Sequence, residues 1–277
     1  MRTVSIKTGP DMLTYAIDGD TFVGTEEVLL HGDDNVVAGA PWEPEGYTIA
    51  NFLTPGEFNI LAEDLRKRVH RAVEKFAPVC TVPLSSFSLA QYHRTISNDE
   101  NHLAVAMGTR EGFPASELPI PIAEFERRIS AVCRCDLSVI NPRMDDANFY
   151  IRIVRPSAKG DNNPPHRDVW LDRLRDGVNL YLPIEGSNER SSLPIVPASH
   201  HWKESEIERT ASGTKVDGAT YRVPAVTGAS QEFAMIRPNP RPGQMMLFSP
   251  YLIHGGGANF NLDVTRISVE MRFFRRS

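Results

Sequence analysis

Apolar residues recur along this chain at two different spacings, and the change from one to the other falls near residue 140. Before it, Phe58, Leu61, Leu65, Val69, Ala72 and Phe76 return on one face of a helix. Thr54-Pro55-Gly56-Glu57 adds a capping box with proline at the first helical position, so the pattern predicts a helix over 55–76. Ile122, Phe125, Ile129 and Val132 predict a second amphipathic helix over roughly 119–133.

After residue 140 the spacing falls to two. In 148–154, Phe149, Ile151 and Ile153 share one face while Asn148, Tyr150 and Arg152 share the other. The segments 178–182, 220–223, 244–248 and 264–274 alternate in the same way, broken by Pro, Gly and Asn. Short antiparallel strands following helices predict a mostly β protein with N-terminal helices. Its core would be a double-stranded β-helix, a jelly-roll of the cupin-like kind, with the helices on its outer face. No internal repeat or low-complexity linker divides the chain, so 1–277 reads as a single domain. Within it, 1–42 is an N-terminal extension, 43–140 mainly helical support, and 141–277 the β-helix core. The long polar stretch 203–240 reads as a lid or insert.

Composition narrows the function classes. With 41% hydrophobic and 23% charged residues the chain is an ordinary globular one, and a net charge of −5 offers no basic footprint for nucleic acid. No run approaches the ~18–20 apolar residues that would span a bilayer, and the N-terminus lacks the apolar core of a signal peptide. Three cysteines, Cys80, Cys133 and Cys135, are too few for a disulfide framework and fit a reducing compartment. Cys133 and Cys135 read as buried thiols at a helix end. The expected setting is the cytoplasm and the expected partner a small-molecule substrate, with neither nucleic acid nor membrane. Oligomeric state leaves no mark in the sequence.

The candidate chemistry lies in the β half. His166 and Asp168 are two apart, so on an extended strand both side chains leave one face and Arg167 points away. Alone, such a pair reads more readily as a surface feature. His254 follows an apolar run and Pro250 and precedes three glycines, which permit a tight turn or a close backbone approach. Two imidazoles and one carboxylate can hold one face of a non-haem Fe(II) and leave the other positions open for substrate and O2. Thr265, Ile267, Val269, Met271 and Phe273 form one nearly apolar face; Val264, Arg266 and Ser268 begin the other. A guanidinium turned into the barrel is costly unless paired. The far carboxylate of a bound keto acid would suit it, with Ser268 as a hydroxyl donor; a structural salt bridge or a sheet-edge position is the alternative. By the same parity Tyr150, Arg152, Asn179 and Tyr181 point inward, toward substrate or cosubstrate. Trp170 reads either as a substrate wall or as packed core. His93 and His102 read as surface or lid residues.

The order His166-x-Asp168, His254, Arg266-x-Ser268 resembles the Fe(II)/2-oxoglutarate oxygenase superfamily. Within it, the chain resembles the phytanoyl-CoA dioxygenase-like family. Glu45–Glu57 is similar to that family's opening strand and helix, Leu193–His200 to its Pro-Gly-Ser-His turn, and Pro242–Phe248 to its strand before the distal histidine. Ala198 departs from the family's usual glycine. The likeness spans roughly 43–277. It implies that His166, Asp168 and His254 bind Fe(II) and that Arg266 and Ser268 fix 2-oxoglutarate. It further implies that O2 is consumed, succinate and CO2 are released and a C–H bond is hydroxylated. In similar proteins the histidine of the Ser-His turn is structural, so His200 and His201 are not counted as ligands. Halogenating relatives lack the ligand carboxylate, so Asp168 speaks for hydroxylation or another oxidation. The competing readings are a cupin-type metalloenzyme without a keto acid, a non-catalytic jelly-roll binding protein, and a protein-modifying hydroxylase. Only a keto-acid enzyme needs the pair Arg266 and Ser268.

Overall fold

The computed structural model describes residues 1–110, 112–158, 161, 163–211, 214–220, 223–231 and 234–276. In chain order its strands are β1 (Arg2–Thr8), β2 (Asp11–Asp18), β3 (Thr21–Val23), β4 (Tyr47–Asn51), β5 (Phe113–Pro114), β6 (Leu137–Ser138) and β7 (Asn148–Val154). There follow β8 (Gly177–Glu185), β9 (Ile207–Thr210), β10 (Lys215–Val216), β11 (Ala219–Thr220), β12 (Val226–Ala229), β13 (Gln244–Phe248) and β14 (Arg266–Arg275). The helices are α1 (Pro55–Phe76), α2 (Tyr92–Thr95), α3 (Asp99–Arg110) and α4 (Ile122–Cys133).

α1 begins where its capping box places it: the Thr54 hydroxyl accepts from the Glu57 amide and the Glu57 carboxylate accepts from the Thr54 amide. α4 starts three residues later than its apolar spacing suggests, after Pro121. Both helices cover one face of a seven-stranded sheet ordered β4-β13-β8-β14-β7-β5, with β6 also on β14. Leu61, Leu65, Val69, Phe125 and Ile129 pack there against Phe149, Ile151, Leu180, Val269, Met271 and Phe273. Each such side chain contributes roughly 1.5–3 kcal/mol through burial. The alternation in β14 is therefore read correctly, with its apolar face toward the helices.

Across the sheet's other face lies a second layer built from shorter pairings. His166 bridges His254, His254 bridges Ile195, and Ile195 bridges Ile236. From β7 the chain passes to His166, back to β8, on to Ile195, back to β13, on to His254, and back to β14. This alternation between layers is the double-stranded β-helix. Inward side chains of the large sheet and residues of the second layer together line one cavity of about 510 Å³.

Two expectations change. The N-terminal extension is built into the second layer: β2 pairs with β10, β3 with β9, and Thr8 with Met235. Val4, Ile6, Leu13, Tyr15 and Ile17 form a second core there with Val196, Val216, Val226 and Ile253. The stretch 203–240 is correspondingly not an open lid, because β9 to β12 lie within it and join the same layer. Of the expected strand at 220–223, Thr220 belongs to β11 and Tyr221 and Arg222 lie outside the described residues. No described helix is long and apolar enough to cross a membrane. Cys133 is buried, and burial pushes its thiol up to about 12.

Candidate active site

His166 and His254 face each other through a reciprocal backbone pair, His166 N to His254 O at 2.8 Å and His254 N to His166 O at 2.9 Å. Their ring centroids are 4.5 Å apart. The His166 Nδ1 lies 2.7 Å from the Pro164 carbonyl and the His254 Nδ1 2.9 Å from the Leu252 carbonyl. A carbonyl only accepts, so each Nδ1 carries a proton, which leaves Nε2 as the ring atom available to a metal. Both Nε2 atoms converge on one oxygen of Asp168, at 3.4 and 3.7 Å from Oδ1. Burial, and then the neighbouring His166, push the His254 imidazole down to about 4, so it is neutral near pH 7. Burial alone would raise the Asp168 carboxyl; the opposing charges, led by the Arg272 guanidinium, outweigh it and hold the group well below the usual carboxylate range. The result is two imidazoles and one carboxylate, all buried, with ligand atoms within 4.8 Å of one another. That donor set suits a divalent transition metal.

Local chain geometry makes this convergence possible. Arg167 is extended (φ −107°, ψ 132°), which puts His166 and Asp168 on one side. The chain then turns through a short 3-10 helix at Asp168–Trp170. After His254, Gly255 adopts φ +103°, and a Cβ there would lie 2.7 Å from the Pro164 carbonyl and 2.9 Å from the His166 Nδ1. Only glycine fits between the two histidine segments.

Arg266 is 2% exposed, yet no carboxylate reaches it among the described residues. Its Nη2 donates to the Gly257 carbonyl at 3.2 Å, while its Nε and Nη1 and the Ser268 Oγ are buried with no hydrogen-bond partner among the described residues. A Cβ on Gly257 would stand 3.3 Å from Nη2, so that glycine keeps the guanidinium's flank open. Arg266 lines the cavity that holds the triad, and Ser268 lies two positions along the same strand. A carboxylate from a bound keto acid would supply the missing acceptors, so the residues present fit that cosubstrate.

The other inward residues divide. Tyr150, Asn179 and Tyr181 line the cavity. Asn179 Nδ2 donates to Asp168 Oδ2 at 3.0 Å, and the Tyr181 ring centroid lies 5.9 Å from the Arg266 guanidinium. Arg152 also faces inward, but Glu270 holds it at 3.0 Å. For Trp170 the packed reading holds and the substrate wall does not: the turn after Asp168 carries it out of the cavity lining and against the second core. Its Nε1 donates to Glu204, and Arg209 stacks 4.4 Å from its ring centroid. His102 is a correction, being buried between the Tyr92 hydroxyl (3.2 Å) and Asp161 (3.2 Å). His93 is anchored to Thr265 and Asp263. His200 and His201 approach Glu43 as a second set of close donors, but His200 Nε2 is taken by the Glu43 carbonyl and His201 is exposed. Glu270 carries no reading from the sequence, and Arg272, which belongs to a basic C-terminal run (272–276) expected to be a solvated end, instead lines the cavity and pairs with Asp168. Their signal was present, since the inward parity of Arg266 and Ser268 continues to positions 270 and 272.

Comparison with known proteins fits this arrangement. Residues 43–268 match the sequence model of the phytanoyl-CoA dioxygenase (PhyH) family. The match covers most of the chain, which therefore belongs to that family of iron- and 2-oxoglutarate-dependent oxygenases. No curated protein matches. Among solved structures, AviO1 from Streptomyces viridochromogenes Tue57 is similar at 13% identity over 92% of this chain and 97% of its own, with a TM-score of 0.48. SnoN, a non-heme alpha ketoglutarate dependent epimerase from nogalamycin biosynthesis, is 13% identical over 87% of this chain and 82% of its own, with a TM-score of 0.44. EctD from S. alaskensis, solved with 2-oxoglutarate and 5-hydroxyectoine, is 11% identical over 94% of this chain and 86% of its own, with a TM-score of 0.44. The family assignment rests on the sequence match and not on these distant likenesses.

Proposed function

We propose that this oxygenase hydroxylates an unactivated C–H bond of a small molecule, of amino-acid, sugar or natural-product type, releasing succinate and CO2. His166 Nε2, His254 Nε2 and Asp168 Oδ1 would hold Fe(II). The bound metal and keto acid supply the oxidising power drawn from O2. The chain contributes positioning and a dry enclosure. The Pro164 and Leu252 carbonyls fix the two imidazole rings and their tautomers. Arg266 and Ser268 receive the distal carboxylate of 2-oxoglutarate, with the Gly257 carbonyl and the Tyr181 ring keeping the guanidinium in place. A cavity of about 510 Å³ has the size of a small-molecule site. The carboxylate at position 168 favours oxidation over halogenation.

One observation carries this reading: a buried arginine with two nitrogens that find no acceptor among the described residues lines the same cavity as the triad, and the buried, unpartnered Ser268 hydroxyl lies two positions along its strand. A cupin-type enzyme without a keto acid would have no use for that pair. The test is aerobic incubation with Fe(II) and 2-oxoglutarate, reading succinate, beside anaerobic titration reading the visible charge-transfer band of the chelate. Wild type should show both, His254→Ala neither. Iron bound with no band would contradict the proposal.

A further inference from the structure

Asp168 presents its two oxygens to different surroundings. Oδ1 faces the two Nε2 atoms. Oδ2 accepts three N–H groups: Arg272 Nε at 3.1 Å, Arg272 Nη2 at 3.0 Å and Asn179 Nδ2 at 3.0 Å. The donors come from neighbouring strands and are held in fixed relation, because Arg272 on β14 pairs in register with Asn179 on β8. Asp168 is the only carboxylate that Arg272 pairs with among the described residues.

We propose that Arg272 and Asn179 are positioning residues that restrict Asp168 to binding the metal through one oxygen. The proposal rests on the metal site proposed above. A carboxylate can take one or two positions on a metal. Swinging Oδ2 toward the histidines would break three hydrogen bonds, two of them from a charged donor. With Oδ2 saturated, Asp168 occupies a single position, and the most room is left for a chelating keto acid and O2. A plain counter-charge to a buried Asp168 would not need to engage only the oxygen turned away from the histidines. The Arg272 side chain is 30% exposed toward the cavity, so its replacement by glutamine leaves the apolar core intact.

Mn(II)-loaded protein tests this without turnover. Metal affinity is measured by electron paramagnetic resonance titration, and metal-bound water is counted in ¹⁷O-enriched buffer by pulsed methods. Wild type is compared with Arg272→Gln, Asn179→Leu and His254→Ala. Arg272→Gln and Asn179→Leu should weaken Mn(II) binding about 10–100-fold. Both should also lose bound water as the second oxygen reaches the metal. Should one of the two variants fold poorly, the other decides. Weaker binding with the water count intact would reduce Arg272 to a counter-charge and overturn the proposal, as would two variants indistinguishable from wild type. If wild type binds no Mn(II), or His254→Ala binds it as tightly, the metal site itself fails and this proposal with it.

Discussion

Arg167 and Arg266 are both large, fully buried cations, and they differ in that only Arg167 meets a carboxylate among the described residues. Arg167, between two candidate ligands, donates to Glu204, to the Ser199 carbonyl and to the Trp202 carbonyl. Glu204 in turn takes Trp170 and Arg209. Burial lowers the Arg167 guanidinium to about 10 while Glu204 opposes the shift. Arg266 has one carbonyl and two orphaned nitrogens. A buried charge costs several kcal/mol unless it is paired. The paired arginine is therefore structure, tying the 166–170 segment to the 199–209 segment. The unpaired one is the residue proposed to meet the distal carboxylate of 2-oxoglutarate.

Breaking the paired side should have the largest effect. Arg167→Leu strands Glu204 and is expected to cost about 3–5 kcal/mol in urea unfolding, whereas Arg266→Leu removes an unpaired buried charge and should be neutral or stabilising. Equal losses from both would erase the distinction. A smaller effect is expected at the open side. Ser268→Ala should weaken 2-oxoglutarate binding by about 1 kcal/mol, read by calorimetry on Mn(II)-loaded protein, with unfolding unchanged. Gly257→Ala crowds the guanidinium from 3.3 Å and should weaken the same binding by about as much. The smallest change lies beside the Arg167 anchor. Ala198 sits at φ +59°, just before Ser199, in the left-handed region where an L side chain costs about 1–2 kcal/mol. Ala198→Gly should raise stability by up to ~1 kcal/mol in thermal unfolding, since glycine's greater chain entropy offsets part of the relief.

What could be read from the sequence was local. The capping box at Thr54 and Glu57 sets the start of α1 without help from the rest of the fold. The parity of β14 separates Val269 and Met271 from Arg266 and Ser268 because a pleated strand admits only two faces. What stayed hidden depends on distant partners. Nothing near Asp18 indicates that Lys215 will pair with it, so the N-terminal hairpin and the 203–240 stretch were separated although they build one layer. Parity placed Arg167 opposite the ligands, but the buried Glu204 that meets it lies in another segment. The sequence leaves Trp170 open between a substrate wall and packed core, and the 3-10 turn at Asp168–Trp170, which strand spacing does not reveal, decides for packing. Asn148 to Val154 carries no mark showing that Arg152 will be neutralised by Glu270 rather than left free for a ligand.

The most direct measurement compares 2-oxoglutarate with pyruvate, which lacks the distal carboxylate, by calorimetric titration onto Mn(II)-loaded protein. Wild type should prefer 2-oxoglutarate by about 2–3 kcal/mol, the value of hydrogen bonds to a charged group, and Arg266→Ala should lose that preference while still binding the metal. Equal affinity for the two acids in wild type would contradict the assignment of Arg266 and Ser268 as the keto-acid clamp.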